Sequence, residues 1–194
     1  GDSIQIIGGS ANSITYTPSS TPQGSGTANI DGSLLTFTGL EPLLVTTTTE
    51  NVIIDMSALT AAETVTLEDD GTANNGRSRV NFTTATLEDI TFANPTKLLR
   101  VIGTGLADTI TINAIDGSFN ADLTVDAGAG GDAINYNART GSGRYQLNGG
   151  ADTDTLLGTN TGHVWNITAA NAGNLDAAGV NDFTGIENLT GGAG

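Results

Sequence analysis

The stretch "QLNGGADTDTLL", Gln146–Leu157, joins an apolar segment, a glycine-rich turn, an aspartate and a second apolar segment. The same order occurs in "TVDAGAGGDAINY" at Thr124–Tyr136 and in "VIGTGLADTITI" at Val101–Ile112. In the apolar segments, large hydrophobic residues alternate with Thr or Asn, which is the period of a β-strand with one buried face. This repeated pattern predicts an all-β protein.

Two series of apolar residues recur at nearly constant spacing. The first series has steps of 22 residues and consists of Val101, Leu123 and Tyr145. The second series has steps of 24 and then 22 residues and consists of Ile110, Ile134 and Leu156. A repeat of this length holds two or three strands and their corners, but it has no room for a helical crossover. The spacing therefore excludes a doubly wound sheet and favours coils whose equivalent strands stack.

The predicted fold is a right-handed parallel β-helix, a β-solenoid with irregular loop insertions, because parallel crossover connections are almost always right-handed. The side chains expected to point inward are Ile110, Ile112, Val125, Ile134, Tyr136, Leu147 and Leu156. The polar segments Leu67–Val80 and Thr161–Phe183 are the predicted insertions, and Trp165 is expected to cover an edge of the core.

A longer repeat is also present. "FTGLEPL" at Phe37–Leu43 returns as "FTGIENL" at Phe183–Leu189, a shift of 183 − 37 = 146 residues. We therefore expect one β-solenoid segment over residues 1–194 that belongs to a longer tandem array, with a repeat unit of about 37–182 and the next unit starting near 183. Its nearest partners would be neighbouring repeats of the same long chain, and Phe37 and Phe183 should be buried.

The charge balance excludes several kinds of partner. The chain carries 21 Asp and Glu against 6 Lys and Arg, a formal net charge of −15. Such a field repels phosphate backbones, so we predict no nucleic-acid binding. No apolar run is long enough to cross a membrane, so we predict no membrane span. The absence of cysteine is compatible with export.

"GGADTDTLL" and "AGAGGDAIN" resemble the calcium-binding nonapeptides of repeats-in-toxin proteins. The resemblance implies Ca2+ held between turns, and no other cofactor. The implied metal-binding residues are the carboxylates Asp132, Asp154, Asp152 and Asp126, with the carbonyls of Gly130 and Gly149. The alternative is that these aspartates only cap turns by accepting backbone N–H bonds. The missing nine-residue period favours turn capping. Asp69, Asp70 and Asn74 form a second candidate cation site.

"FTGLEPL", "DDGTANNG" and "FTGIENLTGGAG" resemble segments of very large bacterial adhesin- or hemagglutinin-like repeat proteins. This resemblance implies an extracellular or cell-surface location in a bacterium and a non-enzymatic, structural or adhesive role. The partner would be an extracellular or cell-surface polysaccharide, or another cell.

Polysaccharide binding or degradation is the remaining alternative, because paired carboxylates in an acidic cleft cut glycosidic bonds. The candidate acids are Glu68, Asp69, Asp70, Glu88 and Asp89. Adjacent strand residues point to opposite faces, so Glu88 and Asp89 would not converge if they lie in a strand. His163 is the single histidine, which leaves no histidine cluster. We therefore predict no catalytic residues and no enzyme.

Overall fold

The computed structural model describes residues 2–159, 162–177 and 179–192. These residues form 19 strands and no helix, which confirms the predicted all-β class. Consistent with this, no helix in the described part of the chain is long and apolar enough to span a bilayer. Strands dominate because Ile, Val, Leu and Thr alternate through most of the segments between turns.

The strands are, in chain order, β1 (Asp2–Ile6), β2 (Ser10–Ser19), β3 (Ser25–Ile30), β4 (Ser33–Phe37), β5 (Leu40–Val45), β6 (Thr48–Asp55), β7 (Thr64–Asp69), β8 (Arg77–Phe82), β9 (Ile90–Ala93), β10 (Leu98–Ile102), β11 (Thr109–Ile112), β12 (Asp122–Ala129), β13 (Ala133–Tyr136), β14 (Tyr145–Ala151), β15 (Thr155–Leu157), β16 (Trp165–Ala169), β17 (Ala172–Leu175), β18 (Asn181–Thr184) and β19 (Asn188–Thr190).

The strands form two sheets. The first sheet has nine strands in the order β1-β5-β9-β8-β7-β11-β13-β15-β19. The second sheet has ten, in the order β16-β17-β18-β14-β12-β10-β6-β2-β3-β4. From β10 to β15 the chain alternates between the sheets, and each strand pairs in parallel with the next strand of its own sheet. Successive repeats therefore add one strand to each sheet.

Both sheets are mixed, because the predicted insertions contribute antiparallel strands. The segment Leu67–Val80, expected to be a loop, forms much of the antiparallel hairpin β7–β8. The segment Thr161–Phe183 contributes β16, β17 and part of β18, which pair antiparallel at one end of the second sheet. Thr161 itself lies outside the described residues. Antiparallel pairing satisfies the backbone N–H and C=O groups that an irregular loop would leave to water.

The pairing register confirms one of the two predicted series and corrects the other. Ile110 pairs with Ile134, and Ile134 pairs with Leu156, as their spacing predicts. Leu123 pairs with Tyr145, but its other partner is Leu99 rather than Val101. The shift arises in the connection between the sheets.

The step from Ile112 to Leu123 is 123 − 112 = 11 residues, whereas the step from Tyr136 to Tyr145 is 145 − 136 = 9. Two extra residues in the first connection move the register by two. A shift of two keeps the same side chains on the buried face.

A single hydrophobic cluster collects the inward side chains of both sheets. The residues predicted to point inward are all between 0% and 3% exposed, and they are Ile110, Ile112, Val125, Ile134, Tyr136, Leu147 and Leu156. Phe37 and Phe183 are also buried, as expected. Trp165 is half-buried against this cluster and meets the ring of Phe183 edge-on, with 6.2 Å between the ring centroids.

Candidate functional site: a buried carboxylate ladder

Five acidic residues each lie directly before a strand of the first sheet. They are Glu63 before β7, Asp108 before β11, Asp132 before β13, Asp154 before β15 and Glu187 before β19. These five strands are consecutive neighbours in the sheet. The acidic residues therefore lie side by side at the N-terminal ends of these strands, and we call them the carboxylate ladder.

Hydrogen bonds link each member of the carboxylate ladder to the next. In every step a backbone N–H donates to the following carboxylate: Glu63 to Asp108 Oδ1 at 2.7 Å, Asp108 to Asp132 Oδ1 at 2.7 Å, Asp132 to Asp154 Oδ1 at 2.8 Å, and Asp154 to Glu187 Oε2 at 2.8 Å. Bonds between a charged acceptor and a backbone N–H are stronger than neutral ones. The ladder therefore ties each strand connection to the one stacked on it.

The central members of the carboxylate ladder are buried. Asp132 is 2% exposed and Asp154 is 0% exposed. In each of these two residues the second oxygen, Oδ2, has no hydrogen-bond partner. None of the ion pairs among the described residues involves a ladder residue. The buried carboxylates thus carry charge without a cationic side chain beside them.

Burial sets the electrostatics of the ladder. Burial is the largest cause of the raised pKa of Asp132, which is about 6. The hydrogen bond from the Asp108 amide lowers this pKa, and the negative charges of Asp108, Asp154 and Asp152 contribute to raising it. Burial is also the main cause of the raised pKa values of Asp154 and Glu63. Low dielectric disfavours the charged form of a carboxyl group, and neighbouring like charges add to the effect.

A glycine beside Asp154 makes room for its carboxylate. A Cβ on Gly149 would lie 2.6 Å from Asp154 Oδ2 and 2.1 Å from the carbonyl oxygen of Gly185. The same relationship occurs two repeats earlier, where a Cβ on Gly103 would lie 2.8 Å from Asp108 Oδ2, whereas the repeat between them has Ala127 at this position. Glycine at positions 103 and 149 therefore leaves room for the neighbouring acidic side chain.

The predicted metal-binding residues are only partly brought together. Asp132 and Asp154 are adjacent in the carboxylate ladder. The Asp152 side chain is exposed and accepts a bond from the amide of Gly130 at 3.2 Å. Asp126 belongs to β12 of the second sheet, where its carboxylate forms an ion pair with Arg100 at 2.6 Å. The Asp126 carboxylate is therefore paired with Arg100 on the second sheet and is not part of the carboxylate ladder.

Three ladder residues were not predicted: Glu63, Asp108 and Glu187. The signal for Asp108 is in the sequence, because "ADTI" places an acid directly before the strand in the same way as "GDAI" and "TDTL". Glu63 and Glu187 occupy the same position before β7 and β19, but their surrounding sequences lack the glycine-aspartate turn. Only the strand order reveals their membership.

The capacity for metal binding is limited. Among the residues that the structure describes, no group of three or more His, Asp or Glu side chains could hold an ion together. In the second candidate site, Asp69 Oδ1 and Asp70 Oδ1 accept the amides of Gly71 and Thr72 within their own turn. Both aspartates therefore act as turn acceptors, which needs no metal.

The acids considered for catalysis lie in different surroundings. Glu68 pairs with Arg79 across the hairpin. Glu88 and Asp89 line the same open cleft of about 390 Å³, together with Glu41. Glu88 and Asp89 were expected to diverge if they lay in a strand, but both precede β9, so strand alternation does not apply to them. Burial and a hydrogen bond with Glu41 raise the pKa of Glu88 to about 7.

His163 is half-buried, and polar groups contact both nitrogens of its ring. Its Nδ1 lies 3.0 Å from Asp176 Oδ2, and its Nε2 lies 2.8 Å from Thr159 Oγ1. The ring also meets Tyr136 edge-on. These contacts anchor the segment before β16 on the first-sheet side of the core.

In comparison with known proteins, no family model, no curated protein and no solved structure matches this chain.

Proposed function

We propose that this chain is a non-enzymatic structural and adhesive module of a bacterial extracellular or cell-surface repeat protein, built as a right-handed parallel β-solenoid. The observation that carries the proposal is the constant step between the sheets. The separation is nine residues from Val101 to Ile110, from Val125 to Ile134 and from Leu147 to Leu156. Each of these residues pairs with its equivalent in the next repeat. A chain that repeats one step in this way is extended by adding coils.

The carboxylate ladder supports the same role. It adds a hydrogen bond at every coil boundary from Glu63 to Glu187, beside the backbone ladder of the first sheet. A module that carries load between its ends needs its coils joined at each boundary. The net charge of −15 keeps a large exposed surface soluble, and it does not favour a phosphate-bearing partner.

Surface adhesion tests the proposal. Beads coated with the protein should be retained on immobilised bacterial extracellular polysaccharide more strongly than beads coated with an unrelated acidic protein. The polysaccharide should keep its chain length during the incubation. Retention no greater than the acidic control would refute the adhesive role, and shortened polysaccharide chains would refute the non-enzymatic one.

A calcium-stabilised solenoid is the second candidate. The observation that favours it is the pair of buried, unpartnered oxygens, Asp132 Oδ2 and Asp154 Oδ2, on adjacent coils. Both oxygens would coordinate a hard cation, and its charge would relieve the repulsion between the carboxylates. Thermal unfolding with and without calcium separates this candidate from the metal-free ladder.

A further inference from the structure

A neutral cleft of about 510 Å³ lies at the β2–β3–β4 end of the second sheet, with residues 58–60 forming part of its wall. Its volume lies within the range of about 300–1,000 Å³ that is usual for small-molecule sites. Nine of its fifteen lining residues are Ser or Thr, and none is charged. In a chain with a net charge of −15, an uncharged lining of this size sets the cleft apart from the rest of the surface.

The antiparallel pairing of β2, β3 and β4 places Ser and Thr residues of the cleft next to one another. Thr17 pairs with Thr27, and Thr27 pairs with Thr36. Two residues further along β2, Ser19 pairs with Ser25. All five residues line the cleft. Cross-strand partners lie about 4.5–5.5 Å apart, so these hydroxyl residues form rows across the three strands.

One of these hydroxyls is buried without a partner. Ser25 is 3% exposed, and its Oγ makes no hydrogen bond within the protein. By contrast, the Ser19 hydroxyl donates to the carbonyl of Thr21 at 3.0 Å. A buried hydroxyl left without a hydrogen bond destabilises the folded protein. A ligand group that bonds to Ser25 would relieve this destabilisation.

The remaining lining is apolar. Pro18, Pro22, Phe37, Ala58 and Leu59 contribute carbon surface to the cleft. A sugar ring combines apolar C–H faces with a rim of hydroxyls, and Ser and Thr can both donate to such groups and accept from them. A charged ligand would lose its hydration here without gaining an ionic partner.

We propose that this cleft binds an uncharged saccharide unit of an extracellular polysaccharide. This inference deepens the adhesive role proposed above and rests on it. It assigns the adhesive contact to the cleft and the chemistry of the partner to neutral, hydroxyl-rich sugars.

Titration by two-dimensional amide NMR tests the assignment. The probes are the neutral disaccharides cellobiose, lactose and diacetylchitobiose, with a digalacturonate as the charged comparator. We expect at least one neutral probe to shift amides of residues 17–27, 36–38 and 58–60 in a saturable way. The digalacturonate should cause smaller shifts, because the lining holds no cation for its carboxylates.

Two variants locate the binding. Thr60→Trp places an indole at an exposed position of the cleft wall and should abolish the shifts, whereas Thr72→Trp, at an exposed position outside the cleft, should leave them unchanged. Ser25→Ala should weaken binding by about threefold to tenfold, the value of one neutral hydrogen bond. Its melting temperature should be equal to or above that of the parent, because the unbonded hydroxyl is gone.

The assignment is overturned if no neutral probe produces saturable shifts, or if Thr60→Trp binds as the parent does. Failure of the cleft and failure of the adhesive role are distinguishable. Beads carrying Thr60→Trp that still adhere to polysaccharide would keep the adhesive role and remove the cleft as its site. Parent beads that do not adhere, together with saturable shifts, would keep the cleft and remove the adhesive role.

Discussion

The backbone amide of Asp132 donates a 2.8 Å hydrogen bond to Oδ1 of Asp154, the acidic residue 22 positions further along the chain. The same bond joins Asp108 to Asp132, 24 positions apart. The aspartate at this position of the repeat therefore takes part in two hydrogen bonds between repeats. Its amide donates to the carboxylate of the next repeat, and its carboxylate accepts the amide of the repeat before.

Removing one acceptor should measure how much a single hydrogen bond of the carboxylate ladder contributes to the free energy of unfolding. In Asp154→Ala the Asp132 amide, which belongs to a residue only 2% exposed, loses its acceptor. In Asp154→Asn the side-chain oxygen can still accept this bond. We expect the alanine variant to be less stable than the asparagine variant by about 1–3 kcal/mol, measured by urea unfolding. Equal stabilities would show that this bond contributes little.

Neutralising Asp132 should make stability less dependent on pH. Its pKa is about 6 in the folded protein, above its ordinary value of 3.8, so the folded state binds the proton more tightly. The stabilisation from this proton is fully present below the ordinary pKa, and it is lost as the pH rises through about 6. Asp132→Asn should therefore melt higher than the parent at about pH 8 and close to it at about pH 4.

The parent protein is the matched control for that comparison, because Glu88, with its pKa of about 7, titrates equally in both proteins. A melting difference that is the same at both pH values would contradict the assignment of a raised pKa to Asp132.

Calcium should have little effect on stability. Four of the five ladder carboxylates already accept a backbone N–H through one oxygen, and the Glu63 carboxylate accepts the Thr84 hydroxyl, so the ladder forms without an ion. We expect equal melting temperatures in chelator, calcium and magnesium at matched ionic strength, because only general screening then acts. A melting temperature several degrees higher in calcium alone would establish the calcium-stabilised solenoid, since magnesium keeps its waters and prefers a tighter shell.

The turn glycine before Asp154 should tolerate no side chain. A Cβ at Gly149 would lie 2.1 Å from the carbonyl of Gly185, so Gly149→Ala must shift backbone on an adjacent segment. We expect a loss of about 1–3 kcal/mol or more, by analogy with overpacked cores. Gly105→Ala is the matched control, because a Cβ there has no atom within 4 Å. A loss of similar size in both variants would contradict the close contact as its cause, because the lower entropy of the unfolded chain alone would stabilise an alanine variant.

The sequence by itself determined the all-β class, the strands of the repeated segments and their buried residues. Alternation of apolar with polar residues is a property of neighbouring positions, so it identified Ile110, Ile134 and Leu156 as a buried series, and the register confirms it. The acids Asp132 and Asp154 were also visible, because they repeat with the strands they precede.

Only the tertiary structure decided which residues meet across longer and unequal distances. Glu63 contacts Asp108 over 45 residues and Glu187 contacts Asp154 over 33, because hairpins of different length lie between them. The pairing of Leu123 with Leu99 depends in the same way on two extra residues in a connection. Local periodicity records which face of a strand is buried, whereas strand order and register follow from loop lengths and from the backbone pairing of distant segments.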